Sequence, residues 1–261
     1  MNKVTASMMW PDVAPAWMLN LPDQLEEFFF NIYKCFLFEE RYMLFLKGLG
    51  NTLLLTFFAL LIGIALGIVI SLIRVTWDKN GAEMPALPRA ILYIFNAISK
   101  IYLTVIRGTP VVVQILLLNF VVFATSRNKI LVGCLCFGIN SGAYVAEIFR
   151  SGIMSIDVGQ TEAGRSLGFG YIPTMYHIIL PQAFKNVLPP LCNEFIVLLK
   201  ETAVVGYIGL SDLTYAASTV GGATYEYLFP LLLAAVIYLT MVILFTHLVD
   251  KLERRLRSNE R

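Results

Sequence analysis

The sequence predicts an all-α integral membrane protein, and three observations support this fold class. Apolar residues make up 57% of the 261-residue chain and charged residues only 15%, against about 25% in a typical soluble protein. The mean hydropathy is +0.71. Long uncharged segments recur along the chain, and within a bilayer a helix satisfies all of its own backbone polar groups.

Five segments are predicted to cross the membrane. The first, residues 48–73, is uncharged and is longer than the roughly 20 residues that the hydrocarbon core requires. Its Gly63 and Gly67 form a small-residue pattern that is typical of closely packed helices, although such patterns also arise by chance. The remaining spans are predicted at 101–126, 130–146, about 189–210 and 227–249.

The second and fourth spans are interrupted. In the second, we expect the helix to break at Gly108-Thr109-Pro110, because proline removes a backbone donor. The fourth lies in an apolar segment, 178–210, that also carries charges and prolines. We expect one helix there that begins near Pro189, since proline is tolerated in a first turn.

The first 47 residues contain no predicted span. Residues 26–47 are rich in aromatic side chains, but a charge interrupts them every few positions. This pattern is typical of a helix that lies along the lipid headgroups. We therefore divide the chain into an N-terminal extracytoplasmic or interfacial segment (1–47), a transmembrane domain (48–252) and a basic cytoplasmic tail (253–261).

Basic residues set the predicted orientation. Five spans place the termini on opposite sides, and Lys and Arg are more numerous in the segments that share a side with the C-terminus. Positive charge favours the cytoplasm, so we expect the N-terminus outside and the C-terminus inside. Residues 74–100 and about 150–185 are then cytoplasmic.

Other features of the sequence exclude several classes of protein. A formal net charge of +2 leaves no basic stripe that could follow phosphates, so nucleic-acid binding is not predicted. The cysteines lack the spacing of a zinc site or a disulfide framework, so we expect no metal site and expect them to be buried apolar residues. We also expect no cleaved signal peptide. The cysteines are Cys35, Cys134, Cys136 and Cys192.

The second cytoplasmic segment has the pattern of a short helix. Thr161 precedes a helix-forming run from Glu162 to Leu167, and Gly168 and Gly170 are expected to end it. This segment resembles the signature loop of the permease subunits of bacterial ABC importers, whose pattern is EAA, three residues, G, nine residues, I-x-L-P. The matching residues are Glu162, Ala163, Gly168, Ile178, Leu180 and Pro181.

Gly164 departs from the alanine that is usual in this family, and it lowers helix propensity by about 1 kcal/mol. Further similarities to the polar-amino-acid branch of the family extend the resemblance over about 48–252. They lie at residues 107–114, 143–150, 180–184, 193–195 and 199–202.

The resemblance implies a type I ABC importer permease core of five spans in the bacterial cytoplasmic membrane, moving a polar amino acid by alternating access. It implies three partners besides the lipid bilayer: a dimer of ATP-binding cassette ATPases, a second permease subunit that is identical or homologous, and an extracytoplasmic solute-binding protein. The loop 157–172, with Glu162, Ala163, Gly164 and Gly168, would be the coupling helix that docks on the ATPase.

The chain has no GxxxxGK[ST] phosphate-binding loop. We therefore expect that it is not an enzyme and holds no cofactor, and that ATP and magnesium belong to the partner ATPase.

Two charged residues, one within a predicted span and one directly after a predicted span, are candidates for substrate binding. Arg107 directly precedes the expected break, and a broken span is tolerated where it lines a protected cavity. Gln114 lies two helical turns after Arg107, and Glu147 lies two turns after Asn140, so each pair can share a helix face.

Arginine can bind an α-carboxylate through two hydrogen bonds. Glu147 can bind an α-ammonium, and Gln114 and Asn140 can bind the remaining polar groups. Two alternatives stay open: Arg107 and Glu147 pair with one another, or Arg107 extends toward water while Glu147 reaches the inner interface.

Two other functions remain as alternatives. An ion-coupled secondary amino-acid transporter or a channel would carry inverted repeats or rings of acidic residues, and the sequence contains neither pattern. A membrane enzyme would need clustered histidines or a nucleophile with its base, whereas His177 and His247 are far apart in the chain.

Overall fold

The computed structural model describes residues 9, 10, 12, 14, 18 and 22–258, and every regular element in that part of the chain is a helix. The predicted all-α fold class is therefore confirmed. The α-helices are α1 (Asp23–Ile32), α2 (Tyr42–Asn80), α3 (Ala86–Gly108), α4 (Val111–Leu117), α5 (Lys129–Met154), α6 (Val158–Ser166), α7 (Tyr171–Thr174), α8 (Leu180–Glu201), α9 (Leu213–Thr224) and α10 (Leu228–Ser258). Short π or 3-10 turns join or extend them at Tyr33–Leu37, Phe38–Glu40, Leu118–Val122, Met175–Ile179 and Thr202–Ile208.

Among the described residues, four helices are long and apolar enough to cross a membrane, namely α2, α3, α5 and α10. Helices α2 and α5 contain the first and third predicted spans, and α10 covers the fifth from Leu228 onward. The second predicted span is found as two helices, because α3 ends at Gly108 and α4 starts after Pro110. The expected break is thus confirmed. Helix α3 begins at Ala86, however, so much of the predicted connection 74–100 is helical.

The prediction that the fourth span begins near Pro189 is wrong. Helix α8 begins at Leu180, and both Pro189 and Pro190 lie inside it. The part of α8 that precedes the two prolines is stabilised by packing, because Ala183 and Val187 are buried. Tertiary packing therefore outweighs the helix-breaking tendency of proline at these positions.

The aromatic segment before the first span is also helical. It forms α1, the turns from Tyr33 to Glu40 and the beginning of α2 at Tyr42. Its position along the headgroups, the orientation of the termini and the domain boundaries at residues 47 and 252 stay predictions.

The chain divides into two compact units. The first comprises Met1–Leu54 and Leu199–Ile243, and its apolar core includes Cys35, Phe45 and Leu213. Asp212 caps α9, because its carboxylate accepts hydrogen bonds from the backbone N–H groups of Thr214 at 3.1 Å and Tyr215 at 2.9 Å.

The second unit comprises Leu55–Leu198 and Leu244–Arg261. Two apolar clusters stabilise its described part. One surrounds Leu103, Ala143 and Ala146, and the other surrounds Ile153 and Ile179. Both sites described below lie within this unit. Of the four cysteines, Cys35, Cys134 and Cys136 are buried and Cys192 is partly buried.

Candidate functional site

Reciprocal glycine contacts hold α2 against α5 and thereby set the position of the candidate substrate site. Gly63 and Gly67 on α2 face α5, where a β-carbon at Gly67 would lie 2.5 Å from Cγ1 of Val145. On α5, a β-carbon at Gly138 would lie 2.5 Å from Cγ2 of Ile62. The predicted packing role of Gly63 and Gly67 is confirmed, since each helix leaves room for a side chain of the other.

This close approach brings charged residues of the two helices together at one end of the contact. Arg74 on α2 lies 3.6 Å from Glu147 on α5, measured between Nη1 and Oε1. Arg150 forms a 3.0 Å ion pair with Asp78 and lies 3.9 Å from Glu147. The four side chains are only 16–31% exposed, so these pairs are shielded from solvent screening better than surface pairs.

A cavity of about 600 Å³ opens beside this cluster. Helices α2, α3 and α5 supply its lining, and both Arg107 and Glu147 belong to it. The structure therefore brings the two charged candidates to one cavity. The lining residues are Arg74, Lys100, Leu103, Thr104, Arg107, Gly108, Tyr144 and Glu147.

Arg107 is exposed at this cavity, and its guanidinium carbon lies 5.4 Å from the ring centroid of Tyr144. This is a cation–π distance, and the contact orients the guanidinium across the cavity wall. The ion pairs among the described residues join Glu147 to Arg74 and Arg150. The alternative in which Arg107 and Glu147 pair directly is therefore not the arrangement found.

Gln114 and Asn140 lie outside this cavity, and their side chains form hydrogen bonds at the break between α3 and α4. Nε2 of Gln114 donates to the carbonyl oxygen of Ile106 at 2.8 Å and to Oγ1 of Thr109 at 2.8 Å. Nδ2 of Asn140 donates to Oε1 of Gln114 at 2.9 Å. Neither residue lines the cavity around Arg107. The structure thus joins these two candidates to each other and to the broken backbone.

The second candidate site is the predicted coupling helix. It is α6, and it begins earlier than predicted, because its cap is Asp157 and not Thr161. Oδ1 of Asp157 accepts a 2.6 Å hydrogen bond from the N–H of Gly159. An aspartate at this position satisfies an otherwise unpaired donor of the first turn, which explains the earlier start.

The predicted end of α6 is confirmed. Gly168 adopts a positive φ of 83°, and its N–H donates to the carbonyl oxygen of Arg165 at 2.9 Å. The N–H of Phe169 donates to the carbonyl oxygen of Gly164 at 3.0 Å. These two bonds form a Schellman motif, for which glycine is the favoured residue at the left-handed position.

Gly164 has a packing role within the same loop. A β-carbon at this position would lie 2.8 Å from Cγ2 of Thr174 and 3.0 Å from Cδ1 of Ile178. The departure from the alanine usual in the family therefore allows α6 to lie closer to the segment that follows it. Glu162 and Ala163 are both exposed on α6.

Side-chain contacts fix this loop to the helices around it. The hydroxyl of Tyr171 hydrogen bonds with Asn80 and Thr76 at the end of α2, and burial raises the pKa of Tyr171. Nδ2 of Asn186 on α8 donates to Oγ of Ser155 at 2.9 Å. Apolar side chains stay uncovered on the loop, among them Val158, Leu167 and Ile172, each more than 70% exposed. An anchored helix with an uncovered apolar surface is suited to dock on another protein.

Sequence reasoning did not identify Arg74 and Lys100 as lining residues. Their positions at the ends of predicted spans, Arg74 directly after the first and Lys100 directly before the second, were a usable signal. Among the described residues no group of three or more His, Cys, Asp or Glu side chains could hold a metal ion.

Comparison with known proteins gives concordant results. Residues 90–258 match the family described as binding-protein-dependent transport system inner membrane component. The arginine transport system permease protein ArtQ of Bacillus subtilis (strain 168) is 38% identical over 218 residues, which are 82% of this chain and 93% of the relative. A putative glutamine transport system permease protein GlnP of Rickettsia typhi is 33% identical over 225 residues, 85% of this chain and 97% of the relative.

Two solved structures are similar in fold. A crystal structure of an amino acid ABC transporter with histidines shares 41% sequence identity and a TM-score of 0.73, over 84% of this chain and 98% of that chain. An inward-facing structure of the MetNI methionine ABC transporter shares 18% identity and a TM-score of 0.66, over 82% of this chain and 97% of that chain. The second likeness concerns the fold alone.

Proposed function

Because the chain belongs to the family of binding-protein-dependent transport system inner membrane components, it is a multi-pass permease of the bacterial cytoplasmic membrane, and we propose that it serves an ATP-driven importer of a polar amino acid. The observation that carries this proposal is the 41% identity, over 84% of the chain, to a solved amino acid ABC transporter. The relatives named for arginine and glutamine transport support the substrate class.

The energy for transport comes from a separate ATPase in this proposal, so the chain itself is not an enzyme and needs no cofactor. Helix α6 docks on an ATP-binding cassette dimer, which holds the ATP and magnesium. The fixed position of α6 supports this role, because Tyr171 joins its loop to α2, and Asn186 on α8 binds Ser155, which lies just before the loop. A second permease chain and an extracytoplasmic solute-binding protein complete the assembly, with five spans and the C-terminus in the cytoplasm.

The substrate site that we propose is the cavity around Arg107. The guanidinium of Arg107 binds the α-carboxylate, because arginine offers a planar pair of donors to a carboxylate. Glu147 lies in the wall of the same cavity and faces the α-ammonium. Gln114 and Asn140 act indirectly, by holding the end of α3 on which Arg107 lies.

Co-purification tests the coupling role. A tagged chain is expected to retain an ATPase in equal amount, and ATP hydrolysis by the reconstituted complex is expected to rise with the transported amino acid. Glu162→Lys reverses a charge on α6 and should release the ATPase or uncouple hydrolysis from transport. Glu83→Lys makes the same change at an exposed residue outside α6 and should leave both unchanged. Coupled transport by the Glu162→Lys complex at the level of the unmodified complex would contradict docking through α6.

A further inference from the structure

The cavity around Arg107 is lined by more positively charged than negatively charged side chains. Arg74, Lys100 and Arg107 are cationic, and Glu147 is the carboxylate among the lining residues. The nearby Arg150 and Asp78 form their own ion pair at 3.0 Å. A cavity that is partly shielded from water and carries excess positive charge attracts an anion.

The carboxylate of Glu147 is already compensated by the protein. It lies 3.6 Å from Arg74 and 3.9 Å from Arg150. In the proposed site Glu147 also faces the α-ammonium, so a second cation on a substrate side chain would have to share this carboxylate with that ammonium and both arginines, and would also face Lys100 and Arg107. Like charges brought together in a partly shielded site repel one another, so the lining opposes a basic substrate side chain.

A second feature indicates an additional acceptor. Nε of Arg74 is buried and has no hydrogen-bond partner among the described residues. An unpaired buried donor is costly, so the guanidinium of Arg74, which lines the cavity and whose side chain is 16% exposed, is only partly satisfied by the protein. Lys100 is exposed at the same cavity and offers further donors.

We propose that this cavity selects an acidic amino acid, that is, a zwitterion with a second carboxylate. Arg107 binds the α-carboxylate, and Lys100 with Arg74 binds the side-chain carboxylate. This inference rests on the proposed amino acid transport, and it departs from the arginine and glutamine that name the two relatives. Lys100 and Arg74 thereby become residues that determine specificity.

Equilibrium binding tests the proposal in the permease–ATPase complex without a solute-binding protein, reconstituted in phosphatidylcholine nanodiscs. Labelled L-glutamate is expected to bind at least about ten-fold more tightly than L-glutamine or L-arginine. Lys100→Glu should weaken glutamate binding by about ten-fold or more and strengthen arginine binding. Arg89→Glu makes the same charge reversal on α3 outside the cavity and should change neither.

Equal or tighter binding of arginine or glutamine overturns the proposal, and so does the absence of specific binding of all three amino acids. A lipid phosphate shares the chemistry of a carboxylate, so the measurement is repeated with phosphatidylglycerol. If Lys100→Glu weakens binding of this lipid and leaves glutamate binding unchanged, the cations bind lipid and the proposal fails. ATP hydrolysis stimulated by arginine and its binding protein would overturn the acidic specificity alone. Hydrolysis that no amino acid stimulates would overturn the proposed function itself.

Discussion

The side-chain amide of Gln114 on α4 donates a 2.8 Å hydrogen bond to the carbonyl oxygen of Ile106 on α3, across the break at Pro110. The last carbonyl groups of a helix have no partner within it. Oγ1 of Thr109 donates to the carbonyl oxygen of Val105 at 2.8 Å and also accepts from Gln114. The break therefore supplies its own acceptors and donors, which makes it tolerable in a membrane protein.

Gln114→Leu should destabilise the protein, because it leaves the Ile106 carbonyl and the Asn140 amide without this partner. The expected loss is about 1–3 kcal/mol, measured as the free energy of unfolding in detergent. Thr240→Val is the matched control, since Thr240 is exposed and bonds only to a carbonyl of its own helix. A Gln114→Leu protein as stable as the control variant would show that the break does not depend on this side chain.

Arg107→Ala should abolish uptake of the transported amino acid while the permease still assembles with the ATPase. Arg107→Lys keeps the charge but loses the planar pair of donors, so partial uptake is expected. Uptake is measured in proteoliposomes and assembly by co-purification, with Arg89→Ala as the control on the same helix. Uptake by Arg107→Ala at the unmodified rate would remove Arg107 from the substrate site.

Gly67→Ala should weaken the contact between α2 and α5, because its β-carbon would lie 2.5 Å from Val145. Overpacking of this kind typically costs about 1–3 kcal/mol. Gly50→Ala is the control on the same helix, since its β-carbon would meet nothing within 4 Å. Thermal unfolding in detergent compares the two variants, and Val145→Ala should partly restore Gly67→Ala. Equal melting temperatures for Gly67→Ala and Gly50→Ala would contradict the close approach.

Asp212→Ala should lower stability by about 1 kcal/mol, because the cap of α9 is lost, whereas Asp212→Asn keeps an acceptor and should cost less. Burial raises the pKa of Asp212 above its ordinary value. A raised carboxyl pKa in the folded state gives stability that is present at low pH and is lost as the pH rises through the folded pKa. As the pH rises from the ordinary pKa of aspartate to the raised pKa of Asp212 in the folded protein, the melting temperature of the unmodified protein should thus fall more than that of Asp212→Asn. Identical pH profiles for the two proteins would exclude this contribution of Asp212.

Gly164→Ala restores the residue usual in the family but places a β-carbon 2.8 Å from Thr174. We expect α6 to shift and the number of ATP molecules hydrolysed per transported amino acid to rise. Thr174→Ser removes the methyl group in this contact and should reduce the effect when the two changes are combined. Unchanged coupling in Gly164→Ala, measured as hydrolysis and uptake in the same proteoliposomes, would mean that the loop accommodates the methyl group freely.

Local chemistry explains which features could be predicted from the sequence. The break after Gly108 and the end of α6 at Gly168 follow from the backbone properties of proline and glycine, which act within a few residues. The start of α6 was misplaced because both Asp157 and Thr161 are suitable caps, and the choice between them depends on the surrounding fold. The start of α8 was misplaced for a similar reason, because packing of Ala183 and Val187 offsets the effect of the prolines.

The pairing of charges was beyond the sequence, because it depends on how two distant helices meet. The short distance between Arg74 and Glu147 follows from the glycine contacts between α2 and α5. The spacing of residues along a single helix could not predict it. The same holds for Ser141, whose hydroxyl donates to the buried carboxylate of Glu194 at 2.7 Å. The residue types in the sequence indicated which segments carry polar side chains. Which of these side chains pair with one another follows from the fold.

The two prolines within α8 have a mechanical consequence. Pro189 and Pro190 follow one another inside the helix. Because neither backbone nitrogen carries a hydrogen, two consecutive backbone hydrogen bonds of the helix are missing. Helix α8 is accordingly more compliant at this point than a helix with an unbroken ladder. Bending of α8 at this turn therefore breaks no hydrogen bond between these positions and the preceding turn.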